Sequence, residues 1–208
     1  MDLKLKGKNA IVTGGSKSIG RSIALNLAKE GANVAICARG KDALLKTRKE
    51  LLQMGVSVIA LVCDVGNSKD LNAFLDTVKK QFGAIDVLVN NVSALSLGND
   101  IKDWEKSLNV DVMASVRATR QVIPWMEEAG SGSILFISSG SGLAAGSPPA
   151  YAAAKAAIIS YSKTIAIELA PKNIRVNTIA PGSIEFPGGL WELTKKKTGH
   201  FMIRSLAV

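Results

Sequence analysis

At 208 residues, 47% of them apolar, the chain suits one α/β domain with a sizeable core and is too apolar to be disordered. Apolar residues never run to the roughly 18 that a membrane span requires, and Met1–Lys6 alternates charge with leucine where a signal peptide has its apolar stretch. The formal charge of +9 favours anionic ligands, but the cations are dispersed, with one short run at Lys195–Lys197 and no interleaved aromatics. The reading is therefore a solvated basic surface, with no nucleic-acid and no membrane partner expected.

Asn9–Thr13 reads as a first strand, Ile19–Glu30 as a helix ended by Gly31, Asn33–Ala38 as a second strand and Lys41–Met54 as a charged-faced helix ended by Gly55. Val56–Val62 follows as a third strand, then Ser68–Phe82 as a helix with Ser68 as its N-cap. Ile85–Val89 reads as a fourth strand, Ile101–Ala129 as mostly helical, Ser133–Ile137 as a fifth strand, Ala150–Ala170 as a helix and Ile174–Ile179 as a sixth strand. Near-continuous apolar strands separated by helices specify a doubly wound parallel sheet of Rossmann type, covered on both faces and forming a single domain over residues 1–190. Cys37 and Cys63 sit in strand-like apolar surroundings without CxxC spacing. Buried thiols in a reducing, cytoplasmic compartment are expected, with no disulfide and no metal site.

Thr13-Gly14-Gly15-Ser16-Lys17-Ser18-Ile19-Gly20 joins the first strand to the first helix. Glycines at such a turn let the backbone approach a pyrophosphate, and the helix N-terminus offers free N–H groups and partial positive charge. Gly14, Ser16, Lys17, Ser18, Ile19 and Gly20 are the candidate phosphate contacts. The second strand ends in Ala38-Arg39, with no acid to read a free ribose 2′-hydroxyl. Arg39 and Lys17 instead suit a 2′-phosphate, so NADP(H) is expected over NAD(H).

Tyr151 and Lys155 stand four residues apart on one helix face. A phenol is a poor acid-base group at neutral pH, with an ordinary pKa of about 10. A neighbouring ammonium and a cationic nicotinamide both favour the phenolate, so together they are expected to bring the Tyr151 hydroxyl down toward the working range.

In this order, the phosphate loop, Asp64-Val65, Asn90-Asn91-Val92-Ser93, Ile137-Ser138-Ser139-Gly140, Tyr151/Lys155 and Asn177-Thr178-Ile179-Ala180-Pro181-Gly182-Ser183-Ile184 resemble the ordered motifs of the short-chain dehydrogenases/reductases, most nearly the 3-oxoacyl-carrier-protein reductase branch. The resemblance runs from about Lys6 to about Trp191. It implies a NAD(P)-dependent oxidoreductase acting on a carbonyl or secondary alcohol, a 3-oxoacyl thioester among the candidates, and often a homo-oligomer. It assigns Asp64 and Val65 to the adenine, Asn90 to bracing the strands, Asn91 to the adenosine wall, and Pro181, Gly182 and Ile184 to the nicotinamide. Ser139 or Ser138 orients the substrate oxygen. Motif alignment points to Ser139, which we take, whereas the family's spacing to the tyrosine points to Ser138. Counting the family's interval from Trp104, the tetrad asparagine falls on Asp111, whose charge would alter the proton relay.

Two further departures stand out. Ser18 replaces the middle glycine of the phosphate loop; serine suits a helix N-cap, but its Cβ hinders close approach. Residues 191–208 leave the family pattern, and a seventh strand is missing. Two expectations stand for this tail: a genuinely divergent end, or a frameshift, since with suitable codons Lys197–Leu206 matches an out-of-frame reading of a family-like substrate-loop helix after loss of one A in the Lys195–Lys197 codons. His200, the only histidine, falls in this tail and is read as a bystander. These departures motivate a rival expectation, a family member that binds cofactor but is catalytically impaired.

Overall fold

The computed structural model describes residues 2–198. The elements run β1 (Asn9–Thr13), α1 (Ser18–Lys29), β2 (Asn33–Ala38), α2 (Lys41–Leu52), β3 (Val58–Val62), α3 (Ser68–Phe82), β4 (Val87–Asn90), α4 (Ile101–Ser107), α5 (Ala114–Glu128), β5 (Gly132–Ile137), α6 (Pro149–Leu169), β6 (Ile174–Ile179) and α7 (Leu190–Thr198). A π-helical segment, Leu108–Met113, joins α4 to α5, and a short 3-10 turn, Gly140–Gly142, follows β5. The six strands form one parallel sheet in the order β3-β2-β1-β4-β5-β6. This is the doubly wound arrangement expected from the sequence. The strand order reverses between β1 and β4, so the ligand crevice lies there, outside the strand carboxyl ends.

Side-chain alternation along the strands sends the core to two faces. Ile11 and Leu88 join Phe74 of α3, Val122 of α5 and Ile158 of α6 on one side. Val12 and Ile36 join Ala24 of α1 and Leu44 of α2 on the other. The central strands are thus covered on both sides, which is why they read as continuous apolar runs. Edge strand β6 differs: Ile174 and Val176 are buried while Arg175, Asn177 and Ile179 are exposed. Its alternating sequence matches a strand covered on one face only, among the described residues.

Several local expectations need correction. Asn67, not Ser68, caps α3: its backbone is extended and its side chain accepts from Lys69 N and Asp70 N, so Ser68 is already helical. Lys17, not Ser18, is the N-cap of α1, and it makes no side-chain cap bond. The 101–129 helix is broken by the π-helical segment, and α7 had no sequence signal. Cys37 and Cys63 are buried and free. Their mutual hydrogen bond pushes the Cys37 thiol up, with burial adding to it, and pulls the Cys63 thiol down. The stretch 199–208, most of the out-of-frame match, lies outside the described residues. No helix among those described is long and apolar enough to cross a membrane.

Candidate active site

Thr13 ends its strand and Arg39, Asp64, Asn91, Ser139 and Pro181 follow theirs, so the sheet brings six separate segments to one edge. The phosphate loop is built by close packing. Gly14 has φ +69°, and a Cβ on Gly20 would stand 2.3 Å from Gly14 O and 2.4 Å from Asn91 Nδ2. A Cβ on Gly15 would lie 2.4 Å from Ile36 Cγ2. These glycines seat the first turn of α1 directly on the loop, which leaves its free N–H groups facing the crevice. Ser18 has φ +49°, the left-handed region that favours glycine. The departure noted in the sequence therefore falls where the backbone itself prefers glycine.

A groove of about 760 Å³ opens beside this loop, between Lys17, Arg21 and Lys46 on one side and Ile184 and Phe186 on the other. Loop, helix terminus and groove fit a dinucleotide. Lys17 and Arg39 are exposed, and neither enters an ion pair among the described residues. Asp64 is exposed at the tip of β3 and accepts from Gly66 N at 3.0 Å, while Val65 is buried beneath it.

Bracing of the strands, expected of Asn90, is done by Asn91. Its Nδ2 donates to Thr13 O (2.9 Å) and Gly14 O (3.3 Å), and its own N–H donates to Thr13 Oγ1. Asn90 points to the opposite face, as strand alternation requires, and donates to Thr119 on α5. The sequence reading also missed Thr47, buried on α2, which donates to Ser16 O at 3.1 Å and ties the phosphate loop to that helix. A buried threonine on an otherwise charged helix was the available signal.

The two serines after β5 diverge. Ser138 is buried and donates to Lys155 O at 2.8 Å. Ser139 is half-buried, its Oγ accepts from Ser141 N at 3.1 Å, and it lies near enough to Tyr151 to favour the phenolate. Gly140 N donates to Pro181 O at 3.0 Å, joining the serine turn to the loop after β6. Gly142, also missed, lies so close to α6 that a Cβ there would stand 2.8 Å from Ala156 N and from Lys155 C.

Lys155 is 3% exposed and donates to Ile137 O at 3.1 Å, with its Nζ 5.8 Å from the Tyr151 ring centroid. Asp111, fully buried in the π-helical segment, places Oδ1 3.0 Å from that Nζ. No aligned hydrogen bond reaches Oδ1, so the contact is charge against charge. Asp111 Oδ2 accepts from Ala94 N at 3.0 Å. Asn109 turns away, donating to Gly66 O and accepting from Arg117.

The Tyr151 hydroxyl is pushed above its ordinary value. Burial is the main cause; a hydrogen bond with Ser139 opposes it, and the Asp111 carboxylate adds to it. In the protein alone, burial thus outweighs the lowering expected from Lys155 and a cationic nicotinamide together. The lysine is itself paired with Asp111 at 3.0 Å.

The fold and this edge define a dinucleotide-binding oxidoreductase site. The short chain dehydrogenase family model matches residues 8–197, and the chain belongs to that family of NAD(P)-dependent oxidoreductases. It is 38% identical over 198 residues to the human Dehydrogenase/reductase SDR family member 4, covering 90% of this chain and 70% of the relative. It is 37% identical over 191 residues to the 3-oxoacyl-[acyl-carrier-protein] reductase FabG of Thermotoga maritima, covering 89% and 77%. Among solved structures it resembles L-sorbose reductase from Gluconobacter frateurii in complex with NADPH and L-sorbose, at TM-score 0.89 and 36% identity, covering 96% and 79% of the two chains. NAD+-bound xylitol dehydrogenase superposes at TM-score 0.87 and 33% identity, covering 92% and 75%.

Proposed function

We propose that the protein interconverts a carbonyl and a secondary alcohol using NADP(H), with Tyr151, Lys155, Ser139 and Asp111 forming the catalytic group. The observation that carries this reading is the convergence of Ser139 and Lys155 on Tyr151, while Ser138 is engaged with the α6 backbone. Bound cofactor supplies or accepts the hydride. Ser139 orients the substrate oxygen, Tyr151 donates the proton to it in reduction, and Lys155 holds the ribose side of the site. The phosphate-loop residues Gly14, Ser16, Lys17, Ser18, Ile19 and Gly20, with Asp64, Val65, Asn91, Pro181, Gly182 and Ile184, hold the dinucleotide.

Preference for NADP(H) rests on Arg39 and Lys17, exposed cations without acidic partners at the ribose end of the crevice. The likeness to FabG supports a 3-oxoacyl thioester as substrate; the likeness to L-sorbose reductase supports a polyol or ketose as the other class to assay. Exposed Leu108 and Met113 of the π-helical segment and Ile167 of α6 suit a homo-oligomer, and the buried free thiols a cytoplasmic location.

The test is NADPH and NADH oxidation across a panel of ketones, ketoses and 3-oxoacyl thioesters. Tyr151→Phe should cut turnover roughly a hundredfold or more with the fold intact; retained turnover refutes the assignment. Arg39→Asp should weaken NADPH binding roughly tenfold or more, from the ~1.5–3 kcal/mol of a charged hydrogen bond, and leave NADH little changed. Equal losses for both cofactors refute the NADP reading. A second reading, cofactor binding without turnover, is favoured by the left-handed Ser18 and the Asp111–Lys155 pair; it predicts NADPH binding with no oxidation anywhere in the panel.

A further inference from the structure

We propose that Asp111 is a positioning residue that neutralises Lys155 through a buried ion pair, so that Tyr151 stays in the protonated, proton-donating form suited to carbonyl reduction; this rests on the reductase reading above. An asparagine, as in the family pattern, orients its neighbours but carries no charge. Asp111 and Lys155 are 0% and 3% exposed, so bulk solvent and salt screen the 3.0 Å contact between Oδ1 and Nζ little. The carboxylate is also aimed: Ala94 N holds Oδ2 at 3.0 Å, which leaves Oδ1 facing the ammonium. The π-helical segment turns Asp111 toward α6, and such bulges recur at functional sites.

The other charges near the site do not replace this pair. The strand and turn leading to Tyr151, β5 and residues 138–142, contain no ionisable side chain. On α4, Asp103 sets its carboxylate against Gly98, and Lys102, Glu105 and Lys106 are exposed. Arg175 of β6 is exposed and lies at the far end of that strand, level with Ser133. Lys172 pairs with Glu127, and Lys163 and Glu168 are exposed beyond the buried half of α6. The phenol therefore faces a neutral pair rather than a free ammonium. Asp111 and burial act on it in the same direction, against the Ser139 hydrogen bond. In reduction the Tyr151 O–H bond breaks as the product O–H bond forms, a step that needs the phenol. In oxidation the phenolate must accept the alcohol proton, a step deferred to alkaline pH.

The test is a tyrosinate absorbance titration, which needs no turnover. The chain has two tyrosines, so Tyr161→Phe leaves Tyr151 alone, and circular dichroism marks the native range. Asp111→Asn keeps an acceptor for Ala94 N but removes the charge; its midpoint should fall to lower pH than that of the Tyr161→Phe parent. An unmoved midpoint, or titration only on unfolding at the same pH in both, overturns the proposal. The double variant Asp111→Asn/Lys155→Met leaves no unpaired buried charge and carries the test if the single variant does not fold. Its midpoint should lie at or below the parent's; a higher one means that the ammonium dominates and overturns the proposal. Where turnover exists, the rising limb of the oxidative pH profile should move down in Asp111→Asn. Absence of turnover in the wild type with the expected titrations would sink the reductase reading alone.

Discussion

Replacing Ser18 by glycine tests whether the phosphate loop carries backbone strain. At φ +49° the Ser18 Cβ crowds its own carbonyl, at about 1–2 kcal/mol for an L-residue. No hydrogen bond from its hydroxyl exists among the described residues, and Lys17 is the N-cap, so glycine forfeits no cap. Glycine does add unfolded-chain entropy, about 0.5–1 kcal/mol against stability. The balance is a stabilisation of about 0.5–1 kcal/mol, which in a domain of this length raises Tm by roughly 1–4 °C. Thermal melts of the wild type, Ser18→Gly and Ser18→Ala measure this. Alanine retains a Cβ and should melt with the wild type. NADPH titrated by fluorescence should bind Ser18→Gly more tightly, because the Cβ no longer stands between backbone and pyrophosphate. A Ser18→Gly protein that melts at or below the wild type, or Ser18→Ala gaining as much as glycine, would refute the reasoning.

Alkaline stability follows from the phenols. Burial pushes the hydroxyls of Tyr151 and Tyr161 up. Raised folded values mean that their contribution is full below the unfolded value of about 10 and is lost as pH rises through the folded values. Urea melts at successive alkaline pH values should show declining stability above about pH 10, with a shallower decline in Tyr161→Phe; identical slopes would argue that other groups set it. Gly142→Ala should destabilise by about 1–3 kcal/mol, because the atoms its Cβ meets are α6 backbone and cannot swing aside. It should also reduce turnover by displacing Ser139 from Tyr151, and an unchanged melt would show that the turn relaxes freely.

The phosphate loop and the placement of motifs at strand ends were legible in the sequence because each rests on short-range rules. Glycine spacing, strand-length apolar runs and helix punctuation need only neighbouring residues to be read. The choice between Ser138 and Ser139 was not legible. Adjacent residues at a strand tip point to opposite faces, and only the position of α6 decides which hydroxyl meets Tyr151 and which meets Lys155 O. The exchange of roles between Asn90 and Asn91 has the same origin. Thr47 and Gly142 were missed because their partners, Ser16 and the α6 backbone, are 31 residues away for the one and supplied by packing for the other.

From sequence alone came a doubly wound α/β domain, a dinucleotide loop and a tyrosine–lysine pair, since periodicity and local chemistry encode all three. The sequence also flagged Asp111 as a departure. Its consequence was decided by tertiary structure: the π-helical segment carries a buried carboxylate to 3.0 Å from Lys155. A charge's effect on a phenol depends on distance and burial, and neither is written in the spacing of residues along the chain.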